Sequence, residues 1–203
     1  MKRLILILMV FAVCHTSSYA QFTGPTDKFS IGWEVGIPSN DFISETSFRG
    51  GRIEYAHMVK PNLSIGIAGS WNSFQQYVPK TTYQKEGGVG AITSDIVKEV
   101  YSVPLTLNAK FYKVDAKKKL LPYLGIGLGA QYSAQAIYFN IYGIEDNNWG
   151  FVARPEIGVE FSLDEHAALY LAGSYNYASN SSDAFNSSNL SHFAITLGIL
   201  FAQ

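Results

Sequence analysis

Apolar side chains recur along this chain at every second position. Leu63, Ile65, Ile67, Gly69 and Trp71 alternate with Ser64, Gly66, Ala68, Ser70 and Asn72. Tyr101, Val103, Leu105, Leu107, Ala109 and Phe111 alternate with Ser102, Pro104, Thr106, Asn108, Lys110 and Tyr112. Phe193, Ile195, Leu197, Ile199 and Phe201 alternate with Ala194, Thr196, Gly198 and Leu200. A period of two is that of a strand with one apolar face. No stretch keeps the three- and four-residue spacing of an amphipathic helix. The pattern predicts eight strands, at about 28–38, 47–59, 62–74, 97–112, 120–136, 149–163, 167–178 and 191–202. Short turns at Pro61, from Val114 to Lys119 and at Asp164-Glu165-His166 alternate with longer connections at 39–46, 75–96, 137–148 and 179–190. The longer ones are rich in Gly, Ser, Asn and Asp, and 75–96 reads best as an extended hairpin. Short turns at one end and long loops at the other is the asymmetry of an outer-membrane barrel, with both termini on the periplasmic side.

Two eight-stranded barrels alternate in this way, and the face opposite the apolar one separates them. A soluble lipocalin-like barrel turns a charged face to water and keeps its apolar face inside. Here the second face is mostly Gly, Ala, Ser, Thr and Asn, and only 15% of the chain is charged. Small polar residues suit the narrow interior of an eight-stranded ring. The expected fold is therefore all-β: an eight-stranded antiparallel up-and-down transmembrane β-barrel, whose apolar face meets outer-membrane lipid. Aromatics on that face fall at two levels. Phe29, Tyr55, Phe111, Phe161 and Phe201 lie near the short-turn ends, and Trp71, Tyr101, Tyr132, Trp149, Phe151, Tyr175 and Phe193 near the long-loop ends. Tyr101 and Phe111 are ten residues apart on one strand. Tilted at about 40°, that separation spans roughly 25 Å, the height of the apolar band of such barrels.

The stretches Leu121-Pro122-Tyr123-Leu124-Gly125-Ile126-Gly127-Leu128-Gly129-Ala130 and Arg154-Pro155-Glu156-Ile157-Gly158-Val159-Glu160-Phe161 resemble small outer-membrane β-barrel proteins of the Bacteroidota type. So does Val103-Pro104-Leu105. The resemblance covers nearly all of the chain after its first twenty residues. It implies an outer-membrane barrel of a family that includes accessory proteins of secretion machineries, and no single activity. The last strand resembles the signal read by barrel-assembly machinery, except that Ala202 and Gln203 follow the aromatic Phe201.

The first twenty residues read as an address. Lys2 and Arg3 precede an apolar run from Leu4 to Val13, and Ser18-Tyr19-Ala20 forms a small-residue cleavage site. That is the layout of a secretory signal peptide over 1–20, leaving a barrel domain over 21–203. Cleavage removes Cys14, the one cysteine, and two bases with no acid. The remaining thiol-free chain suits an oxidising compartment. A net charge of −1 for the whole chain gives no recruitment of nucleic acid.

Strand parity sends charge inward. Glu34, Arg52, Glu54, Lys110, Arg154, Glu156 and Glu160 fall on the inner face, four acids against three bases. Buried charges of mixed sign are expected to pair. A first hairpin that sets Trp33 opposite Ile53 would set Glu34 opposite Arg52. Three uses of this interior remain open: a plug of salt bridges, a path or binding site for a small solute, and an acid–base site. The plug reading leads to a non-enzymatic structural or accessory barrel, docking a larger envelope or secretion complex. The enzyme reading, a lipid-modifying hydrolase or acyltransferase, rests on His192 beside Ser191, since His57 and His166 lie at the short-turn end. Neighbours on a strand point to opposite faces, so that pair does not form a dyad. No histidine or cysteine spacing matches a zinc site. Gly125-Ile126-Gly127-Leu128-Gly129-Ala130 matches a dinucleotide-binding fingerprint in letters alone, because no helix follows it. No cofactor, catalytic residue or metal ligand is expected. Gly87-Gly88-Val89-Gly90 reads as loop punctuation, and the Asn-x-Ser matches at Asn180, Asn186 and Asn189 as polar surface loop.

Overall fold

A computed structural model describes residues 26–84, 91–113, 119–139, 142–182, 184–185, 187 and 189–203. The segment read as an address, the glycine run 87–90 and Asn186 lie outside them. Eight strands form one closed antiparallel ring in chain order: β1 (Asp27–Pro38), β2 (Ser47–Lys60), β3 (Leu63–Gln84), β4 (Ala91–Tyr112), β5 (Leu120–Phe139), β6 (Tyr142–Ser162), β7 (Ala167–Ala178) and β8 (His192–Ala202). The ring closes where β1 pairs with β8 from Lys28↔Ala202 to Pro38↔His192. The first and last described residues meet there, with the Thr26 and Asp27 amides donating to the Gln203 carbonyl at 2.8 and 3.0 Å. Asp164 stabilises the tight β6–β7 turn by accepting from the His166 and Ala167 amides, both at 2.7 Å.

Each strand obeys its alternation, with the sides inverted relative to a water-soluble protein. On β2, Arg52, Glu54, Ala56 and Met58 are buried while Ile53, Tyr55 and Val59 are exposed. On β4, Thr106, Asn108 and Lys110 are buried while Leu105, Leu107 and Phe111 are exposed. The apolar side chains form the outer wall and the polar ones the interior.

Two features depart from the sequence reading. First, β5 and β6 run past the expected strand ends, whereas β3 and β4, paired from Leu63↔Phe111 to Gln84↔Ala91 with an irregularity between Val78 and Thr81, form the extended hairpin expected there. β5 and β6 stay paired to Phe139↔Tyr142, so residues 137–139 and 142–148 are strand and not loop. Above the apolar band both faces of a hairpin leave lipid, so a one-sided apolar pattern is no longer required there. Cross-strand pairs such as Ile137↔Ile144 take over.

Second, the β1–β2 register is offset by two residues from the expected one. Trp33 faces Gly51, and Glu34 faces Gly50, not Arg52. Gly51 in turn faces Trp71 on β3. A Cβ on Gly51 would sit 2.5 Å from ring carbons of Trp71. The register thus places a bare backbone between two indoles, where Ile53 would have crowded them. The Trp33 indole N–H donates to the Phe48 carbonyl at 2.8 Å and fixes the offset.

Gly51→Val should therefore lower stability by about 1–3 kcal/mol through overpacking. Gly173→Ala, at a site with nothing within 4 Å of the added carbon, should change it by less than about 0.5 kcal/mol. Urea unfolding of the refolded barrel in lipid vesicles, followed by gel mobility, measures both.

Candidate functional site

The interior is built in layers. At the short-turn end, Met58, Tyr112, Tyr123, Ala168, Tyr170, Leu200 and Ala202 form an apolar floor with Leu121 packed against it. Above the floor lies the charge. Arg52 forks between Glu156 (Nη1 to Oε2, 2.5 Å) and Glu54 (Nη2 to Oε2, 2.6 Å). Lys110 reaches Glu54 at 2.7 Å and Glu156 at 3.6 Å. Arg154 donates to Glu34 at 2.6 Å and to Ser70 at 3.1 Å. Lys28 donates to Glu160 at 2.7 Å.

The carboxylates are satisfied from several sides. Glu34 is fully buried and also accepts from Asn72 at 2.7 Å and Thr196 at 2.9 Å. Tyr123 donates to Glu156 at 2.8 Å, and Tyr112 to Glu160 at 3.0 Å. The ammonium groups also meet rings. Lys28 lies 4.2 Å from the Tyr112 centroid, and Lys110 lies 4.8 Å from that of Tyr123. The void bordered by Arg52, Asn108, Lys110, Arg154 and Glu156 has no room for a water-sized sphere.

All seven charged residues expected inside are buried. The expected Glu34–Arg52 pairing is corrected: the two-residue offset gives Glu34 to Arg154, and Arg52 to Glu54 and Glu156. Lys28 was missed. It shares the parity of Glu34 on β1, which was the available signal, and it balances the network at four bases against four acids. Tyr112, which falls in the inward row of β4, and Tyr123 were missed as hydrogen-bond donors, because their carboxylate partners lie on another strand, β6. Gly125 and Gly127 lie beside this network, where a Cβ would press on Lys110 and Asn108 respectively.

Above the ions comes a layer of buried amides and hydroxyls, including Asn72, Ser102, Gln131, Ser133, Gln135, Asn176 and His192. A second apolar cluster stands at the long-loop end: Phe42, Ile43, Phe74, Val100 and Leu190, with Ile137 and Phe185 against it. The 39–46 connection is folded inward by Asn40, whose side-chain oxygen accepts from the Phe42 and Ile43 amides at 3.1 Å. Lys98 holds the same turn by donating to the Phe42 carbonyl at 3.0 Å. Asn180 ties the 179–191 connection to β5 and β6, donating to the Gln131 carbonyl at 3.0 Å and to Asn148 Oδ1 at 2.7 Å.

His192 lies in this upper interior and is 1% exposed, against the Phe74 ring. Its Nε2 is 3.0 Å from the Asn176 amide, and its Nδ1 3.4 Å from the Leu190 carbonyl. Ser191 is also buried and accepts from the Ala178 amide at 3.1 Å. Serine and histidine are thus engaged with different partners. Among the described residues, no group of three His, Cys, Asp or Glu side chains is placed to hold a metal ion.

The outer wall holds the expected aromatics. Phe29, Tyr55, Trp71, Tyr101, Phe111, Trp149, Phe151, Phe161, Phe193 and Phe201 are all exposed. Tyr132 and Tyr175 are half-buried by contact with Trp149 and Phe193, at centroid distances of 5.4 and 4.6 Å. Trp33 and Tyr177 join this outer set.

Residues 5–201 match the family described as "Outer membrane protein beta-barrel domain". The chain belongs to that family. It is an outer-membrane β-barrel protein, and its exposed apolar wall is a transmembrane surface. Its fold is similar to that of Neisserial surface protein A, with a TM-score of 0.56, 15% identity, and coverage of 87% of this chain and 97% of that one. It is also similar to a major outer membrane protein from Thermus thermophilus, with a TM-score of 0.52, 13% identity, and coverage of 87% and 99%. For the outer membrane protein OprG from Pseudomonas aeruginosa the values are 0.51, 13%, 89% and 96%. At these identities the likeness is one of fold. No curated protein matches the chain.

Within this family barrel, Arg154→Met should cost about 3–5 kcal/mol, because it leaves the Glu34 carboxylate buried with neutral donors alone. Adding Glu34→Gln should recover a large part of the loss. The non-additivity, read from urea unfolding of the two single variants and the double variant, measures the pair.

Proposed function

We propose that this protein is a closed, non-enzymatic barrel that serves as a structural or accessory subunit of an envelope or secretion complex. One observation supports this reading. Three buried carboxylates, Glu34, Glu54 and Glu156, and the cations Arg52, Lys110 and Arg154 are committed to one another between an apolar floor and an apolar cap, while Lys28 pairs with Glu160 at the floor itself. A permeation path would need mobile water around those charges, and a catalytic acid or base would need access to substrate. The groups able to act, Glu34, Glu156 and His192, are buried and engaged. What remains for contact with a partner is the surface, above all the two raised hairpins.

In this reading residues 1–20 are a cleaved signal peptide and 21–203 the barrel domain. Both termini and the short turns face the periplasm, and the long hairpins face outward. The two levels of exposed aromatics sit at the two membrane interfaces, with lipid around the apolar band between them. The partners are outer-membrane lipid, the barrel-assembly machinery during insertion, and a larger envelope complex afterwards. The meeting of Thr26 and Asp27 with Gln203 beside the short turns, and export with an even strand number, support this orientation.

In a planar bilayer the purified protein should give a flat baseline. Stable unitary openings would overturn the closed-lumen reading.

Orientation is read independently with single cysteines at exposed sites. Lys80→Cys, in the β3–β4 hairpin, should react with a membrane-impermeant maleimide on intact cells. Glu165→Cys, in the β6–β7 turn, should react only after the outer membrane is permeabilised.

A further inference from the structure

The outer wall is interrupted by a groove at Gly69, which points outward from the middle of β3. Register places Gly69 between Ile53 on β2 and Leu105 on β4. One row nearer the chain ends lie Phe29, Tyr55 and Ile67. These side chains and Leu107 border a groove of about 550 Å³. That volume is in the range of small-molecule sites. A Cβ at Gly69 would meet only the terminal Cδ2 of Leu105, at 3.3 Å. The missing side chain therefore creates the space without leaving a packing fault.

A polar cluster stands at the end of this groove and shares Tyr55 with it. The Tyr55 hydroxyl donates to Asp27 Oδ1 at 2.5 Å, and His57 Nδ1 lies 3.0 Å from the same oxygen. Thr26 donates to Asp27 Oδ2 at 3.2 Å. A carboxylate offers about four acceptor positions, and these contacts use three. Both side chains of the Asp27–His57 pair stay open to the surroundings, at 40% and 52% exposure. The outer wall thus carries an apolar slot whose lining residue Tyr55 is hydrogen-bonded to an oriented carboxylate with acceptor capacity left.

We propose that this composite site holds one phospholipid of the periplasmic leaflet, its acyl chain in the groove at Gly69 and a primary ammonium headgroup on Asp27. Charge complementarity selects the headgroup. The Asp27 carboxylate attracts an ammonium and repels an anionic headgroup. A second groove, of about 650 Å³ around Gly173 between Ile157 and Ile195, has Tyr175 but no outward-facing carboxylate in its lining and serves as the internal control. The leaflet assigned here rests on the orientation proposed above. Headgroup choice does not, because it is read in vesicles whose two leaflets have the same composition.

The test reconstitutes the barrel in vesicles of equal phosphatidylethanolamine and phosphatidylglycerol. Lipids retained through mild detergent are then counted by native mass spectrometry, and heat-modifiable gel migration verifies folding. The wild-type barrel should retain one phosphatidylethanolamine in preference to phosphatidylglycerol. Gly69→Phe should abolish retention, and Asp27→Asn should reduce the preference by about three- to tenfold. Gly173→Phe should leave both unchanged. Asp27→Asn lies at the rim and keeps the test available if a groove-filling side chain impairs folding. Equal retention of the two lipids would overturn the proposal, as would retention that survives Gly69→Phe. A second copy of the chain seated on this face in place of lipid would also overturn it. A cysteine-labelling pattern opposite to that expected would move the site to the other leaflet without touching the vesicle result.

Discussion

An eight-stranded ring is too narrow to hydrate the charges that its own alternation sends inward. Every second side chain faces a lumen that side chains alone fill, so a charge there must find its counter-charge among its neighbours. This constraint organises the interior. Arg52 uses the planar fork of guanidinium to span carboxylates on two strands, and Arg154 uses its fork to reach Glu34 on β1 and Ser70 on β3. Tyrosine hydroxyls and the amide of Asn72 occupy lone pairs that the cations leave over. Removing one member exposes its partner to the full cost of an uncompensated buried charge, so the network holds together as a unit.

The same constraint explains why the ends of the lumen are apolar. Water reaching the ions from either mouth would weaken their attraction by raising the local dielectric. The Met58–Tyr123–Leu200 floor and the Phe42–Ile43–Leu190 cap stand at those two mouths. The cap is assembled from loops, and Asn40 and Asn180 supply the turn and tie that bring those loops in. The closed barrel proposed above has its charges neutralised inside, which is why the functional reading turns to the surface.

Period-two alternation made the ring legible in the sequence, and composition made its sidedness legible. Eight strands, their order and the inward charges all followed from parity. Two elements escaped for physical reasons. The β1–β2 register depends on the fit of Trp33 and Trp71 around Gly51, a three-strand contact that no single strand encodes. The upper parts of β5 and β6 were hidden because Glu145, Asp146, Asn147 and Asn148 are loop-forming residues in most settings. Pairing with Ala136, Gln135, Ala134 and Ser133 keeps them extended. Lys28 was legible and overlooked: its parity equals that of Glu34, and only its place at the strand end concealed it.

The raised hairpins create a difficulty that the ring itself avoids. Closure removes free strand edges within the membrane, but β2 pairs with β3 only as far as Gly50↔Asn72. The upper part of β3 is therefore an edge, and an edge invites pairing with other chains. Two features oppose that. Pro79 lacks the amide that a new strand would bind, and the exposed Lys80 beside it places a charge in the way. They coincide with the register irregularity between Val78 and Thr81, which breaks the regular spacing of the ladder. The hairpin consequently offers less of its backbone to an added strand at this edge. Recognition at this end of the molecule would depend on the chemistry of particular residues and not on generic strand addition.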